Sequence, residues 1–150
     1  MGMTTDAGSS SGTLQSFPQE RLRVLVDRPP RSDGEFVLYW MIAQRRLSWN
    51  FALDRAIAWA EALGKPLIVL EALRCDYPWA SDRIHRFVLE GMAENARRAA
   101  GKRLLYFPYV EPAVGAGKGL LRALSRRAAL IVTDDFPCFF LPRMVDAAAR

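Results

Sequence analysis

A chain of 150 residues is long enough for one domain with a real core, and sits near the lower size for a nucleotide-binding α/β fold. At 51% hydrophobic and 25% charged residues it has the balance of a globular protein rather than a disordered one, and no apolar run reaches the length of a membrane span. The net charge of +5 and pI near 9.7 are compatible with a nucleic-acid partner, but the arginines are spread along the chain rather than clustered.

Residues 1–19 are rich in Ser, Thr and Gly and contain no continuous apolar segment, so they read as a disordered leader without a secretion signal, followed by a folded part over residues 20–150. Cys75 and Cys138 lack a paired spacing, and His85 is the single histidine. A zinc site and a disulfide scaffold are therefore not expected, and a cytoplasmic location fits.

Asp33-Gly34 is a turn signal, and the β-branched and aromatic run over 35–41 reads as a first, buried strand. A polar connection follows over 44–47. Ser48 is the expected N-cap of a helix whose apolar positions are Ala52, Leu53, Ala56, Ile57, Ala60 and Leu63; Gly64 and Pro66 end it. The run over 66–70 is apolar without alternation, as in a strand covered on both faces. Ser81 and Asp82 cap a long helix with an apolar face of Ile84, Phe87, Val88, Met92, Ala96 and Ala99, and with Arg83, Arg86, Arg97 and Arg98 on its solvated side. His85 is expected on that solvated side too. Residues 103–107 form a third strand closed by Pro108. Leu120, Leu121 and Leu124 mark a third helix, residues 129–133 a fourth strand, and a fourth helix begins at Leu141.

The order βαβαβαβα implies a doubly wound, Rossmann-like parallel sheet with right-handed crossovers. A fifth strand would ordinarily follow the fourth helix, so the sheet is expected to lack its last strand. In such sheets ligands bind beyond the carboxyl ends of the strands, where the strand order reverses. With the first strand central, the candidate site comprises Met41, Gln44, Arg45, Arg46 and Asn50 from its exit, and Thr133, Asp134 and Asp135 from the exit of the fourth. Two arginines facing two aspartates could hold a polar ligand; equally, they could form a local ion pair. The stretch Gly115-Ala116-Gly117-Lys118-Gly119 lacks the first Gly and the Ser/Thr of a Walker loop and reads as a flexible lead into the third helix. Cys138 reads as a small buried packing residue, and packing accounts for most of Trp40, Trp49, Trp59 and Trp79. Asp134 and Asp135 lack a third metal ligand, and no hydrolytic triad is present.

Val37-Leu38-Tyr39-Trp40-Met41, then Arg46 and Asn50-Phe51-Ala52-Leu53, resemble the opening of class II DNA photolyases. Ile131-Val132-Thr133-Asp134-Asp135-Phe136-Pro137 resembles the fourth strand of that family and its exit, and Leu141-Pro142-Arg143 the element after it. The similarity runs from about Glu35 to Arg150. Ile42, Ala43 and Gln44 depart from the family's usual Arg-Asp pair, and Trp49 from the Asp that precedes the Asn. The resemblance implies an N-terminal α/β domain of the photolyase and cryptochrome family. In the full-length protein, reduced FAD in a C-terminal helical domain, absent here, splits pyrimidine dimers in damaged DNA. The α/β domain would carry an antenna pigment, a deazaflavin or a folate, and would not repair DNA alone. A stand-alone nucleotide-binding module of the universal-stress or electron-transfer-flavoprotein type shares the topology, and so does a basic interaction domain.

Overall fold

A computed structural model describes residues 17–150. The leader read over residues 1–19 therefore lies, up to residue 16, outside the described residues. Gln19 opens a short 3-10 helix, Gln19–Arg21.

Four strands and four α-helices follow in strict alternation: β1 (Phe36–Met41), α1 (Phe51–Leu63), β2 (Leu67–Leu73), α2 (Asp82–Ala99), β3 (Leu105–Val110), α3 (Leu120–Ser125), β4 (Ala128–Thr133) and α4 (Leu141–Ala148). All strands are parallel, in the order β3-β2-β1-β4. The chain builds outward from β1 through β2 to β3 and then returns to β1's other side with β4, so the reversal of strand order falls between β1 and β4. This is the doubly wound sheet expected from the alternation of the elements.

Every residue of β1 is buried, because the strand has neighbours on both sides and apolar layers on both faces. Val37, Tyr39 and Met41 point to one layer, where they meet Leu67 and Val69 of β2 and Leu53, Ala56 and Ala60 of α1. Phe36, Leu38 and Trp40 point to the other, with Leu70, Ala128, Val145 and the leucines of α3. The strict period of two along β1 thus divides the core.

Strand ends shift by up to three residues from the sequence reading, and three features differ in kind. Asn50, not Ser48, caps α1; its side chain accepts from the Leu53 N–H at 3.0 Å. Strand β3 runs through Pro108 instead of ending there, which an edge strand tolerates because its outer N–H groups have no ladder partner to lose. In α2 the buried residues are Met92, Asn95 and Ala99, whereas Ile84, Phe87 and Ala96 are exposed; the helix touches the sheet only along its second half. Gly64 does close α1 in the left-handed region, at φ 61°.

Gly34 is fixed by packing rather than by φ. A Cβ there would lie 2.2 Å from the Ala129 Cα, with backbone as the obstacle. Gly34→Ala is expected to destabilise the fold by about 2–3 kcal/mol, because the turn must move off β4. A lowered denaturant midpoint with an unchanged m-value would check it.

Candidate functional site

The loop after β1 crosses the carboxyl edge of the sheet and is tied down at three places. Asp134, just beyond β4, is buried, and its Oδ2 accepts the backbone N–H groups of Ile42 (3.0 Å), Ala43 (2.8 Å) and Gln44 (3.0 Å). Its Oδ1 accepts from the Tyr39 hydroxyl at 2.7 Å. Asn50, also buried, donates from Nδ2 to the carbonyls of Gln44 and Arg46 at 2.9 Å each and to the Tyr39 oxygen at 2.9 Å. Burial, and then the Asp134 charge, push the Tyr39 phenol well above its ordinary value, so it stays neutral as a bridge between the two.

The third tie lies on the other side of β1. Arg45 reaches β2, where its Nε donates to Glu71 Oε1 at 2.8 Å and its Nη1 to the Ala72 carbonyl at 3.2 Å. The Glu71 side chain is only 1% exposed. Its Oε2 accepts from Asn95 Nδ2 of α2 at 2.9 Å and from the Tyr106 hydroxyl of β3 at 2.5 Å. Asn95 Nδ2 also donates to the Arg45 carbonyl at 3.2 Å. Burial, followed by the bond to Glu71, raises the Tyr106 phenol as well. The buried carboxylate is thus paired and hydrogen-bonded by three elements, as burial of a charge demands.

Above this network lies a cleft of about 220 Å³, lined by Arg45, Glu71, Phe87, Val88, Glu90 and Gly91. Phe87 is 77% exposed at its rim. Gly91 lines the cleft from α2, and a Cβ built there would meet nothing within 4 Å. Arg45 Nη2 is buried and has no hydrogen-bond partner among the described residues. An unmet buried donor costs about 1–3 kcal/mol and is the kind of group a ligand oxygen satisfies.

The eight residues expected to form one site are therefore divided. Met41 is buried in the core. Asp134 and Asn50 serve the protein's own backbone, and Thr133 Oγ1 donates to the Trp40 carbonyl at 2.8 Å. The expected facing of Arg45 and Arg46 with Asp134 and Asp135 does not occur. Arg45 pairs with Glu71 and Asp135 with Arg23 at 3.0 Å, while Arg46 donates to the carbonyls of Ser48 and Trp49. Gln44 is half-buried beside Arg45. Of the eight, Arg45 lines the cleft. Glu71, Phe87, Val88 and Gly91 escaped the sequence reading, although a carboxylate within an apolar strand and a glycine inside a helix are both signals.

Other single-residue readings also change. His85 is half-buried, edge-on to Tyr77 with ring centroids 5.5 Å apart, rather than solvated. Cys138 is exposed, as are Trp49 and Trp79; Trp79 meets Phe139 edge-on at 5.8 Å. The arginines of α2 do form a solvated face, with Arg86 paired to Glu90 and Arg97 and Arg98 to Glu94. The glycine-rich stretch is filled by the protein itself: Glu111, buried, accepts from the N–H groups of Gly115 (3.0 Å), Gly117 (3.2 Å) and Cys75 (3.1 Å). The Gly117 bond first, then those from Cys75 and Gly115, hold the Glu111 carboxyl below the usual carboxylate range against an opposing contribution from burial. Because the folded value is depressed, this tie contributes fully above the usual carboxylate range and is lost as pH falls through the lower, folded value. The protection factors of the Gly115 and Gly117 amides, taken against the intrinsic exchange rate at each pH, are expected to fall selectively on acidification, which pH-dependent hydrogen exchange would detect.

Among the described residues no cluster could hold a metal ion, and no helix is long and apolar enough to cross a membrane. No family profile matches the chain. Two curated relatives do. A deoxyribodipyrimidine photo-lyase of the archaeon Methanothermobacter thermautotrophicus is 45% identical over 75 residues, covering 50% of this chain and 17% of the relative. A deoxyribodipyrimidine photo-lyase of Oryza sativa subsp. japonica is 33% identical over 131 residues, 85% of this chain and 25% of the relative. The chain thus spans a quarter or less of the length of these relatives. The stand-alone nucleotide-binding reading finds no support in them. With similarity across most of its length and an all-parallel sheet in the expected order, the chain is an N-terminal α/β domain of the deoxyribodipyrimidine photo-lyase family.

Proposed function

We propose that this chain is the antenna and scaffold domain of a cytoplasmic class II-type photolyase, and that the cleft beside Arg45 seats the ring of an antenna pigment, a deazaflavin or a folate. In the full-length protein, reduced FAD held by a C-terminal helical domain would split pyrimidine dimers in damaged DNA. The pigment would add absorption of light and transfer of its energy to the flavin. The observation that carries the site is the unpartnered, buried Arg45 Nη2 at the wall of a cleft flanked by an exposed phenylalanine. A planar ring would cover the apolar surface of Phe87 and Val88 and bring an acceptor oxygen to Arg45.

The cleft's size sets the extent of the contact. At about 220 Å³ it falls below the range of about 300–1,000 Å³ common for whole small-molecule ligands. It would therefore hold a ring, with the pigment's side chain lying outside. Gln44 and Arg46 flank Arg45 in the same loop and would act through its position. Asp134, Asn50, Met41 and Thr133 would act by fixing that loop, and Asp135 by anchoring Arg23 at its far side.

Gly91→Leu separates binding from folding. A leucine at this lining position would crowd the cleft, so affinity for a deazaflavin or a folate is expected to fall by at least about tenfold. Replacing glycine inside a helix also raises helix propensity, so stability is expected to rise by about 0.5–1 kcal/mol. Fluorescence titration alongside thermal unfolding reads both. Undiminished affinity in Gly91→Leu would rule the cleft out.

A further inference from the structure

Arginines that are scattered along the sequence are gathered by the fold. All four strands are parallel, so all enter the sheet at one edge, and α1, α2 and α3 each run back to end there. The register keeps the entries level: Leu105 lies opposite Ile68, Leu67 opposite Val37, and Phe36 opposite Ala128. The last turns of these helices and the loops leading into the strands, from residue 31 for β1, hold nine Lys and Arg against three Asp and Glu. With Glu94, the partner of Arg97 and Arg98, the excess at this edge is five positive charges, equal to the net charge of the whole chain. The rest of the chain sums to zero.

Part of that charge is used locally. Arg31 pairs with Asp33 at 2.8 Å and Arg127 with Glu35 at 2.6 Å, while Lys65 donates to the carbonyls of Ser32 and Gly34. Cations at helix C-termini also answer the helix dipoles, but three ends at roughly half a charge each offset only about 1.5 of the excess. Lys102 and Arg103 before β3, and Arg122 and Arg126 before β4, are exposed and form no ion pair among the described residues. These two pairs flank the outer strands, three strand spacings apart, so the basic strip is about 14 Å long before side-chain reach. Phosphates along one strand of a duplex follow at a rise of about 3.4 Å, so the strip matches about four of them. The exposed aromatic residues Trp49, Trp79 and Phe139 follow strand exits instead, so the basic edge lacks the aromatic anchors that membrane-surface binding uses.

We infer that the entry edge of the sheet is a contact surface for the phosphate backbone of duplex nucleic acid, engaging charge without regard to base sequence or lesion. It lies opposite the strand exits and does not depend on the pigment cleft.

The test is fluorescence anisotropy of a labelled, undamaged DNA duplex titrated with the purified chain at several salt concentrations. The logarithm of the binding constant is expected to fall linearly with the logarithm of salt, with a slope of about −3 to −4, from about 0.9 for each of the four unpaired cations. Arg103→Gln with Arg126→Gln should make the slope shallower by about 2. Arg74→Gln with Arg83→Gln removes the same charge from exposed residues after β2 and should leave the slope unchanged. A duplex irradiated to form pyrimidine dimers should bind as the undamaged one does. Absence of salt-dependent binding overturns the inference, and so does an equal loss in the two double variants, which would report net charge rather than this edge. A requirement for the lesion overturns it as well. Tighter capture by vesicles of equimolar phosphatidylcholine and phosphatidylserine than by the duplex would identify a membrane surface and likewise overturn it.

Discussion

Asp134→Ala is expected to destabilise the domain by about 4 kcal/mol, more than any other single polar truncation near the loop after β1. Four donors lose their acceptor together: the N–H groups of Ile42, Ala43 and Gln44, and the Tyr39 hydroxyl. Each stranded donor costs about 1–3 kcal/mol when fully buried. The three amides belong to half-buried residues that water reaches in part, which keeps the sum near the lower end. Tyr39 retains Asn50, so its loss is partial. Asp134→Asn should recover part of the stability, because one carboxamide oxygen can still face the amides. Equilibrium unfolding of the two variants checks the order. Reduced ligand binding in Asp134→Ala would report the loop's collapse and not a direct contact.

The second large effect concerns the Arg45–Glu71 pair. Arg45→Leu leaves a carboxylate buried with only Asn95 and Tyr106 to satisfy it, and should cost about 3 kcal/mol. Glu71→Leu strands a guanidinium whose side chain is 27% exposed, and that remnant of solvation should hold the cost nearer 2 kcal/mol. Removing both, as Arg45→Leu with Glu71→Leu, should cost clearly less than the two single changes summed, since the desolvation penalty of the pair vanishes along with its attraction and what remains is the acceptor lost to Asn95 and Tyr106. A double-mutant cycle measured by denaturant unfolding tests this non-additivity. Two single costs that simply add would show that the residues act independently.

Most of the architecture was legible from local signals. Strands β1, β2 and β4 lie inside the sheet or against helices and are apolar apart from Glu71 of β2 and Thr133 of β4, and α1 carries both a regular apolar face and a terminating Gly64. What failed depended on partners distant in sequence. Ser48 and Asn50 are equally good caps by residue type. Asn50 prevails because a carboxamide can accept from Leu53 while donating to the carbonyls of Gln44 and Arg46, which a hydroxyl cannot match. Pro108 reads as a strand breaker until β3 is known to be an edge strand. The apolar spacing of α2 continues through Ile84 and Phe87, but nothing in that periodicity tells where the sheet beneath the helix ends.

The candidate site was legible to the level of the loop and not of its contacts. Topology points to the exits of β1 and β4, whereas the cleft that Arg45 lines lies on the other side of β1, against β2 and α2. The assignment of charge partners was not recoverable, because Arg23, Arg45 and Arg46 can be paired with Glu71, Asp134 and Asp135 in many ways and Asp134 takes backbone amides instead. Two residues did carry a signal that local pattern-reading passed over. Glu71 is an ionisable side chain within the strand Leu67–Leu73, where burial on both faces demands a partner, and Gly91 interrupts an 18-residue helix at a cost in propensity. Read together, they mark the floor and the wall of the cleft.

Parallel fluorescence titrations of the purified wild-type chain with a deazaflavin, a folate and FAD test the central claim most directly. The account predicts saturable binding of a deazaflavin or a folate and no comparable binding of FAD, whose site would lie in the C-terminal domain. Binding of FAD alone, or of none of the three, would contradict it.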